Sequence, residues 1–527
     1  MSLDRYTVLG TVFAFVAPVL LFAQIEHGGT PLSISAGKKL SPVATIQLPP
    51  VDVAALKMQD LILDQDKSIP WRFGYNHLVD IGIGTCGDWT DLPNGDRVWR
   101  AGIQSKGALS INLEFHEFDI PAGAQVFVVN EWSEFIGSFT RENDPNGAHV
   151  LGVQPIRGDK ITVEYRVPAG MKPGRLRIGQ VTHAYRDVQR FAKGLGDSGS
   201  CNNNTICPLG SGWENQIGSV AMIVVGGSGI CTGQLINNCA NNGTPYFLTA
   251  NHCTGGGVST WVFRFNWESP ACTPTTNGPT TQTVSGASLL ASNSASDVAL
   301  LQLNSTPPAA YGIYYTGWDK SGTFSTQQTC IHHPSGDIKK ITRDNNAPGQ
   351  STVNLGNGNA QCWRIFNWES GTTEGGSSGS GLWDQNKRLI GQLYGGTASC
   401  SNNIDDYFGR FDISFPFLTT WLGSCGNTLD GYDPNAPTVS LDAQLNAINA
   451  FSGTTCTSTA NPVAVVRNGG TITLTSFTLN YQLNGGGLQT LNWSGSLTTG
   501  NTVNVNLAAQ TLVSGSNNLV VTVTAPN

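Results

Sequence analysis

The sequence predicts an all-β, multidomain chain, and three observations carry that reading. Short runs of alternating apolar and polar residues recur along most of its 527 residues and are bounded by Gly, Pro and Asn turn signals. Convincing long helical patterns are missing. Charged residues make up only 12% and Gly is abundant at 63, which suits loop-rich β architecture and argues against coiled coils. The length implies two to four domains. A net charge of −7 offers no basic footprint, so nucleic acid is not an expected partner.

Residues 1–23 read as an export signal. Arg5 supplies a positive charge, Val8 to Ala23 is almost wholly apolar, and Ala23 is a small residue that could precede a cleavage before Gln24. The apolar run is short for a membrane span, and no later segment is long and apolar enough to cross, so no membrane association is expected once the signal is removed. Twelve cysteines in an exported chain read as disulfides. None forms a Cys-x-x-Cys pair and histidine is scarce, so neither a metal site nor a cofactor is expected.

Residues 24–193 form a first β-rich unit. Leu109-Ser-Ile-Asn-Leu-Glu-Phe, Gln125-Val-Phe-Val-Val and Lys160-Ile-Thr-Val-Glu-Tyr-Arg-Val alternate as strands do, and Val53–Leu63 is its one expected helix. Pro121-Ala-Gly and Pro168-Ala-Gly read as turns. Composition changes near Lys193, where Gly194-Leu-Gly-Asp-Ser-Gly-Ser-Cys201 begins a glycine- and cysteine-rich stretch, and an exposed Lys-Gly step there invites proteolysis. Residues 194–425 form a second unit of many short strands, among them Val220-Ala-Met-Ile-Val-Val, Tyr246-Phe-Leu-Thr-Ala, Val298-Ala-Leu-Leu-Gln-Leu and Leu389-Ile-Gly-Gln-Leu. A short helix is expected near Phe417–Leu422. Such spacing suggests closed barrels or sandwiches. Residues 426–437 read as a linker. Residues 438–527 alternate clearly and read as an immunoglobulin-like β-sandwich, with a hairpin turn at Asn484-Gly-Gly-Gly.

Three segments of the second unit carry chemistry. Thr249-Ala-Asn-His252-Cys253 ends a strand-like run, Ser296-Asp297 begins another, and Gly375-Gly376-Ser377-Ser378-Gly379-Ser380 sets a serine among glycines. Glycines let a scissile carbonyl approach the backbone and let two N–H groups face a developing oxyanion. A Gly/Ser run alone is more often a linker, a lone His beside Cys more often structural, and an Asp before a strand more often a cap. The three together, in the order His, Asp, Ser, match the order of chymotrypsin-type proteases and no other common triad fold.

On those residues, and on Cys231-Thr-Gly-Gln-Leu-Ile-Asn-Asn, Ile331-His-His-Pro, Gly391-Gln-Leu-Tyr-Gly-Gly and Tyr407-Phe-Gly-Arg, the stretch from Cys201 to about Phe415 resembles the bacterial lysyl endopeptidases. The resemblance implies a chymotrypsin-like double β-barrel protease domain, preceded by a β-rich propeptide and followed by an accessory sandwich. It implies His252 as general base and acid, Asp297 as its orienting partner, Ser378 as nucleophile, and the N–H groups of Gly376 and Ser378 as the oxyanion hole. His332 and His333 are rival bases to which the family gives no triad role.

Trypsin-like enzymes carry a pocket aspartate six residues before the nucleophile, where this chain has neutral Thr372. The resemblance instead places the pocket carboxylate at Asp406, with Glu374 as a second acid and Tyr394 and Gly395 beside the substrate. Tyr394 and Leu355 stand where the family has a stacked histidine and tryptophan. The resemblance further implies disulfides Cys201–Cys400, Cys207–Cys272 and Cys231–Cys253. Cys330–Cys362 and Cys425–Cys456 are pairings of the remainder, leaving Cys86 and Cys239 without partners. It also implies maturation by cleavage between Lys193 and Gly194, secretion from a bacterium, protein and peptide substrates, and a monomer. Broader Arg/Lys or other P1 specificity and a non-catalytic, protease-like adhesion module remain open alternatives.

Overall fold

A computed structural model describes residues 26–35, 41–189, 198–273, 276–436, 439–450 and 457–527. The expected signal peptide, the Lys193-Gly194 junction and Cys456 lie outside the described residues. The chain parts into two compact units between Pro434 and Asn435. That boundary falls within the expected linker, but the linker's first half behaves as barrel. Thr428–Leu429 pairs with Trp318–Asp319, and Tyr432 bridges Tyr315.

Before the protease-like stretch, two sheets face each other, antiparallel except where Thr45–Gln47 pairs parallel with Arg97–Gln104. One has the order Thr45–Gln47, Arg97–Gln104, Lys160–Val167, Gln125–Asn130, Phe135–Phe139, and the other Ile156–Arg157, Ser110–Asp119, Arg175–Ala184, Gly74–Gly82. Trp99, Ile111, Phe115, Val126, Val163, Tyr165 and Ile178 fill the space between them. The helix spans Val53–Leu63, as its pattern predicts, and Asp52 caps it by accepting from the Ala55 N–H. Alternation predicts one wet face for Ser110–Asp119, yet its first six residues are all buried. The reason is that its outer face is covered by the rest of the chain. Asn112 Nδ2 donates to Gly227 O at 3.0 Å and Asn76 Nδ2 to Gly226 O at 2.8 Å. Trp71, Phe73, Ala184 and Val188 share one core with Met222, Val224, Ile230, Val262, Trp267 and Ile338. Burying a side chain of the size of Trp71 or Phe73 contributes roughly 1.5–3 kcal/mol.

The protease-like stretch has two sheets. The first runs Thr283–Ser285, Val262–Phe265, Val220–Val225, Gly229–Leu235, Tyr246–Ala250, Val298–Leu303, Ala287–Asn293. The second runs Asn203–Asn204, Lys340–Asp344, Gln328–His332, Gly381–Trp383, Leu389–Gly396, Asp406–Arg410, Asn359–Ile365, Gly349–Asn354. The first sheet encloses Ile223, Cys231, Phe247, Phe263 and Leu301, and the second Trp363, Leu382, Leu393 and Phe408. This is the double-barrel, chymotrypsin-like arrangement, with strands too short and too regularly reversed for any βαβ crossover. One extra strand joins the first sheet from outside: Trp71–Arg72 pairs antiparallel with Gly229–Ile230.

After residue 434, two three-stranded sheets and a short strand pair enclose Ala464, Val466, Phe477, Leu479, Tyr481, Val505, Leu507 and Val521, with Phe477 stacked on Trp493. Asn484 and Gly485 take left-handed φ of 51° and 69°, the geometry an Asn-Gly hairpin turn adopts most readily.

Glu114 lies under the contact between the N-terminal region and the first barrel, with Oε2 3.9 Å from His116. Burial, opposed by a hydrogen bond from Thr260, pushes its carboxyl from 4.5 up to about 7. A carboxyl raised on folding holds its proton more tightly when folded. Its stabilising contribution is therefore full below the unfolded value and is lost as pH rises through the folded one. Glu114→Gln, made in a Ser378→Ala chain to prevent self-digestion, should match its parent near about pH 5. Near about pH 8 it should be the more stable, by up to ~3 kcal/mol. Thermal melts at the two pH values read the difference, and a gap that does not widen with pH would refute it.

Candidate active site

His252 and Asp297 meet directly, and the Ser378 loop lies beside the histidine turn, with Ser378 O 4.0 Å from Cys253 Sγ. His252 follows the strand Tyr246–Ala250 and Asp297 precedes its neighbour Val298–Leu303, and the pairing of Ala250 with Val298 sets the two turns side by side. His252 Nδ1 lies 2.7 Å from Asp297 Oδ2, the His252 N–H donates to Oδ1 at 3.0 Å, and the Asn251 N–H donates to the Asp297 carbonyl at 2.9 Å. Asp297 is 1% exposed and takes a left-handed φ of 52°. Burial pushes its carboxyl up, and the charge and hydrogen bonds of His252 push it back down. Cys231 and Cys253 are joined by a disulfide, which ties the histidine turn to the strand Gly229–Leu235. Their sulfurs therefore cannot act as thiolate ligands beside His252, although all three residues cluster.

Ser378 comes from the second sheet's side, just before Gly381–Trp383. Its loop is held from the first barrel by Thr232. The Thr232 N–H donates to Ser378 O at 2.8 Å, and Thr232 Oγ1 donates to Gly376 O at 2.9 Å. Thr249 Oγ1 in turn donates to Thr232 O at 2.8 Å. Two glycines are obligatory here. Gly376 has φ +90° with a hypothetical Cβ 2.9 Å from His333 O, and Gly379 has φ +81° with its Cβ 2.2 Å from Thr249 Oγ1. Among the described residues neither the Gly376 nor the Ser378 N–H has a hydrogen-bond partner, so both remain available to an oxyanion.

The rival histidines have other tasks. His332 Nδ1 contacts Ser377 Oγ at 2.7 Å, and burial, with help from Lys67 and Lys340, pushes it down to about 3. His333 stacks on Trp267 and holds Asp337 O at 2.9 Å through Nδ1. Both are buried neutral imidazoles without a carboxylate on the ring, and they brace the serine loop.

Asp406 is wholly buried, not a solvated loop acid like its neighbour Asp405, which pairs with Arg364. Oδ2 accepts from Trp368 Nε1 and Thr373 Oγ1, each at 2.7 Å. Oδ1 meets an ammonium from the N-terminal region: Lys67 Nζ sits 2.8 Å from it and 2.8 Å from Thr373 Oγ1. Lys67 O accepts from Ser378 Oγ at 2.5 Å. Lys67 thus links Ser378 through its carbonyl and Asp406 through its ammonium. Sequence reading missed it, together with Trp368, Thr373 and Thr232. No signal in the sequence around Lys67 marked it.

The other expected residues fall differently. Gly395 lines the path of Lys67, because a Cβ there would lie 3.7 Å from Lys67 C. Tyr394 packs its ring 6.0 Å from that of His252 and uses its hydroxyl to hold the Leu355, Asn357 and Gly358 backbone. Glu374 does not reach the pocket cation. Its oxygens are taken by Gly199 N, Asn202 Nδ2 and Ser335 Oγ, so it anchors the segment beside the Cys201–Cys400 bridge. The structure also joins Cys207 to Cys272.

Two expected pairings are corrected. Cys425 bonds Cys239, because Cys239 N–H donates to Leu422 O and brings the two loops together. Cys330 and Cys362 are free and buried, on strands separated by three others in the sheet order. Cys86 is also free.

A family model described as "Lysyl endopeptidase, C-terminal domain" matches residues 195–409. A lysyl endopeptidase of Pseudomonas aeruginosa is 32% identical over 356 residues, covering 62% of this chain and 75% of that protein. Similar solved structures include a Glu endopeptidase in complex with MPD, 16% identical with a TM-score of 0.28 over 44% of this chain and 100% of that one. The MamO protease domain from Magnetospirillum magneticum is 10% identical with a TM-score of 0.28, over 39% of this chain and 97% of that one. With its serine between two β-sheet halves and this sequence relationship, the chain belongs to the lysyl endopeptidase family.

Proposed function

We propose that this serine endopeptidase cuts on the carboxyl side of lysine through a Ser378–His252–Asp297 triad. The observation that carries the lysine assignment is the ammonium of Lys67 on the buried Asp406, 2.8 Å away. A desolvated carboxylate rewards a cation of matching reach and penalises a neutral side chain that leaves it unpaired. Trp368 and Thr373 spend their donors on Oδ2, leaving Oδ1 for a single ammonium.

In the reaction, Ser378 Oγ attacks the lysyl carbonyl while His252 Nε2 takes its proton. Asp297 holds the imidazole by Nδ1 and stabilises its cationic form, and the Gly376 and Ser378 N–H groups receive the oxyanion. His252 then protonates the leaving amine, and water repeats the sequence on the acyl-enzyme. His252 Nε2 has no partner among the described residues, so it is open to this exchange. Maturation after Lys193, before the residues that Glu374 and Asp337 hold at Gly199 and Ser198, would use the same specificity. Four disulfides suit a secreted, extracellular enzyme acting on proteins and peptides.

Asp297→Asn should lower kcat on a lysyl amide by about 10⁴-fold with little change in KM. A cleavage map of a denatured protein should show cuts after lysine, and abundant cuts after arginine would sink the lysine assignment. Asp406→Asn should lower kcat/KM for lysyl substrates by about 10³-fold. Ser378→Ala should leave the Lys193–Gly194 bond intact in purified protein, and maturation of that variant at Gly194 would exclude self-processing.

A further inference from the structure

The specificity pocket is already filled from within the chain. Lys67 is only 4% exposed, with its ammonium on Asp406 and Thr373 and its carbonyl oxygen on Ser378 Oγ. The residues after Lys67 are clamped. Ser68 Oγ lies 2.6 Å from both Asp66 Oδ1 and Leu355 O, Ser68 O accepts from Asn357 Nδ2 at 3.0 Å, and Trp71–Arg72 extends the first sheet. The Ser68 N–H itself donates to Asp66 Oδ1 at 2.8 Å.

Three features set this arrangement apart from a substrate ready to be cut. Ser378 Oγ gives its proton to the lysyl carbonyl oxygen, not to His252, whose Nε2 has no hydrogen-bond partner among the described residues. The lysyl oxygen is held by that hydroxyl, while the Gly376 and Ser378 N–H groups have no partner among the described residues. The chain before Lys67 comes off the helix Val53–Leu63 in hydrogen-bonded turns, where pairing along Leu389–Gly396 would require an extended strand. Helical turns run on past Leu63, with Asp64, Gln65 and Asp66 N–H groups donating to Asp60, Ile62 and Leu63 carbonyls. That helix cannot simply unwind, because buried Asp60 is bonded by Arg72, Arg186 and Tyr185.

We propose that residues 66–68 are a tethered inhibitor, with Lys67 seated as a substrate lysine would be but held in a form the triad does not cut. The proposal rests on Asp406 being the lysine pocket. Tethering makes it effective even if the tripeptide binds weakly, since an intramolecular ligand acts at an effective concentration far above that of any free substrate. Cleavage of the covalent link after residue 189 removes that advantage. The enzyme becomes active when the N-terminal region leaves.

The test uses the full chain carrying Lys193→Gln, so that the region stays attached, and tracks labelling of Ser378 by a small fluorophosphonate with no lysine side chain. The Lys193→Gln chain should keep its intact mass and label slowly. Adding Lys67→Met, which keeps the aliphatic stem, should speed labelling by about 10²-fold. Misfolding would slow labelling, so a rise cannot come from it. Labelling no faster with Lys67→Met overturns the proposal. So does scission between Lys67 and Ser68 accompanied by activity, which would make this bond a processing site. The cleavage map of the mature enzyme is read separately. Arginine cuts there, with labelling still governed by Lys67, would remove the lysine-only reading and leave the inhibitor standing.

Discussion

The structure turns on a carboxylate with no water around it. Asp406 is fully buried, and a buried charge costs several kcal/mol unless donors and a counter-charge meet it. Trp368 and Thr373 satisfy one oxygen, and Lys67 supplies an ammonium to the other. The same requirement explains why an ammonium from the N-terminal region lies against this carboxylate. In the proposed function, the oxygen left without a counter-charge once Lys67 is gone is what would select a substrate cation.

Around this charge the fold supplies rigidity. The nucleophile loop belongs to one sheet and the histidine and aspartate to the other, so their geometry is only as good as the joint between the sheets. Thr232 spans that joint, the Cys231–Cys253 bridge pins the histidine turn, and Gly379 lets the loop lie against Thr249. Neutral His332 and stacked His333 support the loop from beneath. None of these groups is placed to touch a substrate in the proposed reaction. They set where Ser378 and its two N–H groups stand.

The N-terminal region and the barrels share a core through Trp71, Phe73 and Ile230, so the region is built into the enzyme more than appended to it. The pairing of Trp71–Arg72 with Gly229–Ile230 fixes the register of the residues just ahead, Lys67 among them.

Local chemistry was legible in the residues themselves. The helix Val53–Leu63 is marked by its residue pattern, the alternating strands by their period, and the glycines around Ser378 by the backbone freedom such a loop demands. The order His252, Asp297, Ser378 marked these residues as candidates because short motifs beside strand ends survive as sequence signals. Contacts between distant residues carry no such signal. Lys67 meets Asp406 across 339 positions and Cys239 meets Cys425 across 186, and nothing in either neighbourhood announces the other. Cys330 and Cys362 were mispaired for the same reason, since strand order in the sheet, not spacing in the chain, sets the distance between them. Sequence determined which residues could do chemistry. Tertiary structure alone decided which lysine meets Asp406, because a buried charge is answered by whatever cation the folded chain brings within hydrogen-bond reach.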